Sequence, residues 1–405
     1  MKRYFITLIV LCFSLLSQAA TITFSVNGIE YSSTTAGVAS VKSGSGCSGN
    51  VVIPDNVEYN GVVYEVRTIT ASAFKDNKAI TSITIPKTIT SMGSSAFSGC
   101  TGLTSVKWNA VNCGNFSSTA SSQPFNGLTG ITSIEFGDEV TKIPADLCYG
   151  LTGLNCTLVI PPSVTTIGAG AFYNCTGITK VILEDGDEEL VNGYAYYYNS
   201  GGYPYGGYGY DDVITYTYTF NRCSIDSIYI GRKVKDYLFG GSGSKNTSVK
   251  KMVYSCNQKY LEKLCTGIEE LTFLESVTDL STSSIGSTAL REVYVYWQDP
   301  PTISESFFTT AAYNNAILHV PEGTTDIYKS RAGWKNFTIT ENVPPIIVGD
   351  VNGDGLFNIA DITVMIDFLL SQSTPSVDSH AYDMNNNGRV DIGDITTLID
   401  MLLAM

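Results

Sequence analysis

A register of apolar residues that returns about every 23 positions constrains this 405-residue chain more than any other feature. Residues 83–106 (ITIPKTITSMGSSAFSGCTGLTSV) and 158–181 (LVIPPSVTTIGAGAFYNCTGITKV) superimpose at an offset of 75. The matching pairs are Ile85/Ile160, Ile89/Val164, Met92/Ile167, Phe97/Phe172, Cys100/Cys175, Leu103/Ile178 and Val106/Val181. A middle copy, 51 residues after the first, supplies Phe136, Val140, Ile143, Leu147-Cys148, Leu151 and Leu154. An aromatic-centred column runs Phe74, Phe97, Phe125, Cys148, Phe172, in steps of 23, 28, 23 and 24. Phe220-Asn221-Arg222-Cys223 recovers it after an interruption, and weaker copies lie around Leu238-Phe239, Leu271 and Phe273, and Leu290, Val293 and Val295.

Each unit contains a short alternating run such as Ser82-Ile83-Thr84-Ile85, which reads as a strand. Pro86 and Pro161 follow directly, where they end the strand without breaking a ladder bond. A Val/Ile-x-x-Ile/Met-x-x-x-Ala-Phe stretch then turns the chain inward. A unit of about 23 residues cannot bury its apolar face alone, so neighbours must stack. The expected fold is mainly β, a solenoid of short stacked strands. Cys100, Cys175 and Cys223 then fall in an interior column and read as small buried hydrophobes.

This repeat resembles the BspA-type leucine-rich repeat family. The resemblance rests on the AFxxC motif at Ala96–Cys100 and Ala171–Cys175 and on the strands at Ile83–Pro86 and Leu158–Pro161. The stretch Ile317-Leu318-His319-Val320-Pro321-Glu322-Gly323-Thr324, with Tyr328 and Gly333-Trp334-Lys335-Asn336-Phe337, is similar to the segment that closes many such solenoids. The family implies a curved leucine-rich-repeat solenoid over residues 20–342 that contacts a protein or glycan ligand.

A Tyr- and Gly-rich insertion at 184–219 interrupts the repeat. Its tyrosines offer flat apolar rings with polar tips, suited to sugar faces or protein partners. The bland reading is a low-complexity loop, or a hairpin whose tyrosines pack on each other. Val213–Tyr218 alternates as a strand does, and Glu184, Asp185, Asp187, Glu188 and Glu189 read as a solvated turn.

Residues 1–19 read as a signal peptide, with Lys2 and Arg3 before an apolar run and small residues before a cleavage point after Ala19. The run is too short for a permanent membrane span. A secreted or cell-surface location is therefore expected. Nine cysteines would remain, so at least one thiol stays free. A disulfide among Cys47, Cys113, Cys156, Cys256 and Cys265 stays open, and no CxxC spacing supports zinc.

Net charge is −14, which argues against nucleic acid or an anionic membrane as a partner. Much of the excess is local. From Asp350 onward there are nine Asp against the single cation Arg389. Beyond a linker at 343–346, two twelve-residue stretches repeat one pattern: DVNGDGLFNIAD at 350–361 and DMNNNGRVDIGD at 383–394. Ca²⁺ takes six to eight oxygens, and such a loop presents them at positions 1, 3, 5, 7, 9 and 12. The first set is Asp350, Asn352, Asp354, the Leu356 carbonyl, Asn358 and Asp361. The second is Asp383, Asn385, Asn387, the Arg389 carbonyl, Asp391 and Asp394. Two Ca²⁺ ions are expected, three carboxylates to each. Each loop leads into a helix striped with apolar residues: Ile362, Met365, Ile366, Leu369 and Leu370, then Ile395, Leu398, Ile399, Leu402 and Leu403. The two stripes are expected to pack together.

This duplicated loop-helix unit, residues 347–405, resembles the type I dockerin family, in which Asp at position 12 is usual. The resemblance implies a small all-α domain that binds two calcium ions and docks onto a cohesin module. Loop positions 10 and 11, often hydroxyl-bearing in that family, are here Ile359-Ala360 and Ile392-Gly393. An apolar docking face, for a cohesin-like module or for the chain's own solenoid, fits those residues.

Only two histidines exist, His319 and His380, one in each region, so no Ser/His/Asp or Cys/His grouping can be argued. The expectation is a non-catalytic, exported binding or adhesion scaffold. The alternative is a component of a polysaccharide-degrading complex, either a glycan-targeting subunit or an unrecognised glycosyl hydrolase.

Overall fold

A computed structural model describes residues 21–116, 122–193, 195–198, 214–217, 219–235, 248–258, 261, 267–281, 284–343, 349–351, 357–371, 384–385 and 390–404. The expected leader at 1–19, the weak repeat copy at Leu238-Phe239, His380, Cys265 and residues 194, 199–213 and 218 of the insertion lie outside these residues.

The chain opens with an antiparallel cap. Strands Ile22–Val26 and Ile29–Thr35 pair across Asn27-Gly28, and Asn56–Tyr59 and Val62–Ile69 pair across Asn60-Gly61. Both Asn-Gly pairs hold φ between 50° and 80°, as a two-residue hairpin turn that matches strand twist requires. Phe24 stacks on Tyr59 at 4.6 Å and closes the cap over its own core.

Beyond the cap the strands run parallel, one main strand per coil, and several coils add a second strand of two residues: Ser91–Met92, Lys142–Ile143, Thr166–Ile167 and Val191–Asn192, the last three paired in a sheet of their own. A four-stranded sheet joins Gly49–Val52, Ile80–Ile85, Ser105–Trp108 and Ser133–Phe136. An eight-stranded sheet follows, from Thr157–Ile160 through Lys180–Leu183, Ser224–Ile230, Ser248–Tyr254, Glu270–Phe273, Glu292–Val295 and Ile317–Pro321 to Thr338–Val343. Its register places Leu158, Val181, Ile228, Met252, Leu271, Val293 and Leu318 in one line, and every one of them is buried. Pro86 and Pro161 come directly after their strands, as expected.

The aromatic column points inward. Phe74 stacks on Phe97 at 4.9 Å, Phe97 on Phe125 at 5.3 Å, and Phe172 on Phe220 at 5.2 Å, all fully buried. Such pairs add roughly 0.5–1.5 kcal/mol each beyond their buried area. Cys148 interrupts the column, and Phe136 meets Phe172 edge-on at 6.1 Å beside that gap.

The recurrent cysteines are buried, but they are more than small hydrophobes. The Cys100 thiol donates to the Phe74 carbonyl at 2.9 Å, Cys175 to Cys148 at 3.0 Å, and Cys223 to Phe172 at 3.1 Å. Each thiol thus ties its coil to the one before. Cys47, Cys113, Cys156 and Cys256 are free thiols too, so no disulfide forms among the described cysteines.

One reading of the sequence needs correction. The acidic run at 184–189 is only partly a solvated turn: Asp187, Glu188 and Glu189 are exposed, whereas the Asp185 carboxylate accepts from the Tyr229 hydroxyl at 3.0 Å and from Ser255 at 2.8 Å. Beside it lies Arg232, fully buried, donating to the carbonyls of Ile160, Pro161 and Pro162. A guanidinium fork can serve three carbonyls that a strand end leaves open, and this one pins the coil at the foot of the insertion. Within the insertion, Ala195–Tyr198 and Ile214–Thr217 form an antiparallel pair, so the alternating run near Val213 is a strand.

The far end is closed by aromatics around helices α1 (Thr310–Asn315) and α2 (Thr325–Ser330). Trp334 meets Trp297, Phe308 and Tyr328 at 5.8–5.9 Å, and Tyr328 donates to the Trp297 carbonyl at 2.9 Å. His319 stacks on Tyr294 at 4.2 Å and bonds Glu292 and Asn342, a structural bridge between the last three strands.

Candidate calcium module

Two helices form the C-terminal unit: α3 (Ile359–Ser371) and α4 (Ile392–Leu403). Each begins inside a twelve-residue loop, and the two beginnings are built alike. At position 9, the Asn358 backbone amide donates to Asp361 Oδ2 at 2.8 Å, and the Asp391 amide to Asp394 Oδ2 at 2.7 Å. The position-9 side chains return the favour to position 11: Ala360 N donates to Asn358 Oδ1 at 2.8 Å, and Gly393 N to Asp391 Oδ1 at 2.6 Å. In the second loop this is a reciprocal capping box on α4. Asn385, at position 3, also donates its amide to Asp394 Oδ1, at 3.2 Å.

Asp361 and Asp394, the two position-12 residues, are fully buried. A carboxylate held away from water needs compensation beyond neutral N–H donors. A hard divalent cation supplies it, and every expected ligand in both loops offers oxygen, from a side chain or, at Leu356 and Arg389, from the backbone carbonyl. The residues present therefore fit calcium. Asp350, Asn358, Asp361, Asn385, Asp391 and Asp394 lie among the described residues. Asn352, Asp354, Leu356, Asp383, Asn387 and Arg389 lie outside them. Among the described residues no three His, Cys, Asp or Glu side chains converge on a metal position.

The helices pack through Met365 and Leu398, both fully buried, with Ile362 and Val351 beside them. A Cβ on Gly349, which has φ 94°, would come within 2.7 Å of Phe357 and 3.1 Å of Leu398, so this entry to the unit requires glycine. The apolar stripes do not bury whole. Ile366, Leu370, Ile399 and Leu403 are exposed, and so are Ile359 and Ile392. At about 100° per residue, Ile359, Ile366 and Leu370 share one line on α3, while Ile362, Met365 and Leu369 form another about 90° away. The sequence carried that signal, since an arc so wide exceeds one helix-helix contact. The two stripes do pack together as expected, along the line of Met365 and Leu398 only.

The fold is thus a capped repeat solenoid followed by a paired loop-helix module. The BspA type leucine rich repeat region family matches in six copies over residues 67–201 and 214–330, and the chain belongs to that family. Residues 348–403 match the dockerin type I domain family. No curated protein matches the chain. Solved structures similar to it include a leucine-rich repeat protein from Bacteroides ovatus, 16% identical, covering 80% of this chain and 88% of that one, with a TM-score of 0.32. A leucine rich cell surface protein from Faecalibacterium prausnitzii is 15% identical, with 79% and 94% coverage and a TM-score of 0.26. A leucine-rich repeat protein from Bacteroides capillosus is 24% identical, with 28% and 98% coverage and a TM-score of 0.23.

Both matching families are non-catalytic in kind and typical of extracellular or surface proteins. Dockerin type I domains bind calcium and dock to cohesin modules. Among the described residues no helix is long and apolar enough to cross a membrane.

Proposed function

We propose that this chain is an exported binding scaffold whose solenoid contacts a protein or glycan ligand and whose calcium-loaded tail docks to a cohesin-like module. The observation that carries the docking reading is the exposed apolar set on the two helices. Ile359, Ile366 and Leu370 recur 33 residues later as Ile392, Ile399 and Leu403, all exposed. Such a duplicated apolar surface on a small acidic domain marks an interaction site. Two Ca²⁺ ions hold it in shape, one bound by Asp350, Asn352, Asp354, Leu356, Asn358 and Asp361, the other by Asp383, Asn385, Asn387, Arg389, Asp391 and Asp394. Ile and Ala, or Ile and Gly, at loop positions 10 and 11 select a partner with an apolar contact there.

Calorimetric titration of the full chain with CaCl₂ tests the metal assignment. Two bound ions per chain are expected, and one each for Asp361→Asn and Asp394→Asn. A chain that takes up no calcium refutes it. Docking is then read by binding to an array of cohesin modules. Ile366→Asp with Ile399→Asp should abolish any capture while leaving calcium uptake intact. The dockerin domain also favours a second reading, a glycan-targeting subunit of a polysaccharide-degrading complex, with catalysis supplied by other subunits on the same scaffold.

A further inference from the structure

On the flank where each coil turns, the residue two places after the column aromatic adopts a left-handed backbone. These residues are Asp76, Gly99, Gly127, Gly150, Asn174 and Arg222, with φ from 57° to 77°. Gly, Asn and Asp tolerate that conformation, whereas a long side chain is strained there. Arg222, at φ 63°, breaks the pattern. Strain held at one position of an otherwise compliant series points to a use for that side chain.

Arg222 is exposed, and its guanidinium carbon lies 5.4 Å from the centroid of the Tyr173 ring. Tyr173 stacks in turn on Tyr149, with centroids 4.5 Å apart and planes 11° from parallel. Both rings are half-buried. Beyond Tyr149 the surface is open: a Cβ on Gly127 or Gly150 would meet nothing within 4 Å. The glycines therefore serve the backbone turn and leave free space beside the phenol.

We propose that Tyr149, Tyr173 and Arg222 form a binding site for an acidic glycan, with a sugar face resting against the open side of Tyr149 and a uronate carboxylate taken by the guanidinium that Tyr173 positions. Phenol rings match the apolar face of a pyranose, and their hydroxyl tips match its hydroxyls. A guanidinium fork matches a carboxylate with two parallel N–H donors. This deepens the reading of the solenoid as a ligand-binding scaffold and rests on it.

The test is calorimetric titration of the full chain with an oligogalacturonate and with its methyl ester, which keeps the sugars and removes the charge. The free acid should bind at least about tenfold tighter than the ester, a charge-assisted difference. Arg222→Gly should lose that preference while melting at or above the wild-type temperature, because backbone strain is relieved. Tyr149→Ala should weaken both ligands, and Tyr149→Phe should retain most of the binding. No binding of the acid, equal binding of the ester, or an Arg222→Gly chain that melts lower each overturns the assignment. Calcium uptake measured on the same samples separates this failure from failure of the tail. Binding of a neutral glucan instead would leave a glycan scaffold and remove the acidic class.

Discussion

Asp146 sits at another left-handed turn position, with φ 55°, where neighbouring coils place Ser72, Ser95 and Gly170. Its side chain is 3% exposed, and Oδ1 has no hydrogen-bond partner. Burial pushes its carboxyl up to about 6 from the ordinary 3.8. The fold therefore holds this proton more tightly than the unfolded chain does. The stabilisation is whole below about pH 4, declines as pH rises, and is lost once pH passes 6. A shift of this size corresponds to about 3 kcal/mol. Asp146→Asn keeps the turn-tolerant shape and removes the charge. The wild-type minus variant difference in unfolding free energy should fall between pH 4 and pH 7, by denaturant titration, and a difference that stays constant would show that the carboxyl is solvated. The buried thiols make a second residue-scale case. Burial pushes Cys113 and Cys223 up to about 12, and Cys148 and Cys175 well above the ordinary thiol value. Since the thiolate is the nucleophile, these four should escape iodoacetamide at pH 8 in the native chain and react fully in denaturant, read by mass spectrometry.

At the scale of elements, legibility followed period. The main strand of each coil, the proline after it and the aromatic column were readable because one stacked unit repeats its burial pattern in the next, whereas the second strands, such as Lys142–Ile143 and Thr166–Ile167, are only two residues long and left no alternation to read. The Phe97 ring is sandwiched between Phe74 and Phe125 and fully buried, so Phe97→Ala opens a cavity that two neighbours share. A loss of about 3–5 kcal/mol is expected in chemical denaturation, and a loss below 1 kcal/mol would mean the column is not a packed core. What did not repeat was not legible. Arg232 looks like an ordinary surface cation in the sequence, and only the coil at 160–162 explains its burial. Asp185 reads as one acid among five until Tyr229 and Ser255, more than 40 residues away, are brought to it. In the tail, the ligand spacing was explicit, but the division of each apolar arc into a packed line and an exposed line depends on where the second helix lies.

The molecule as a whole combines two parts that hold together by different physics. The solenoid buries one continuous apolar core from Phe24 to Phe337, to which every coil contributes. The tail has a separate small core around Val351, Ile362, Met365 and Leu398, and it keeps two carboxylates wholly buried. A domain of that size rarely stabilises itself by apolar burial alone, and metal binding commonly makes up the difference. Binding to the folded form stabilises by RT ln(1 + [Ca²⁺]/Kd), about 2.7 kcal/mol when calcium is a hundredfold above Kd. The solenoid has no share in that term. Calorimetry of the intact chain should therefore show two transitions. Raising calcium from a chelated state to millimolar levels should move only the transition that Asp361→Asn and Asp394→Asn abolish or lower. Limited proteolysis should agree, with cleavage after the 343–346 linker under chelation and protection when calcium is present. If both transitions shift together, the tail is folded against the solenoid and its apolar helix faces are covered by the same chain. If neither shifts, the buried carboxylates are compensated without metal, and the docking surface does not depend on calcium.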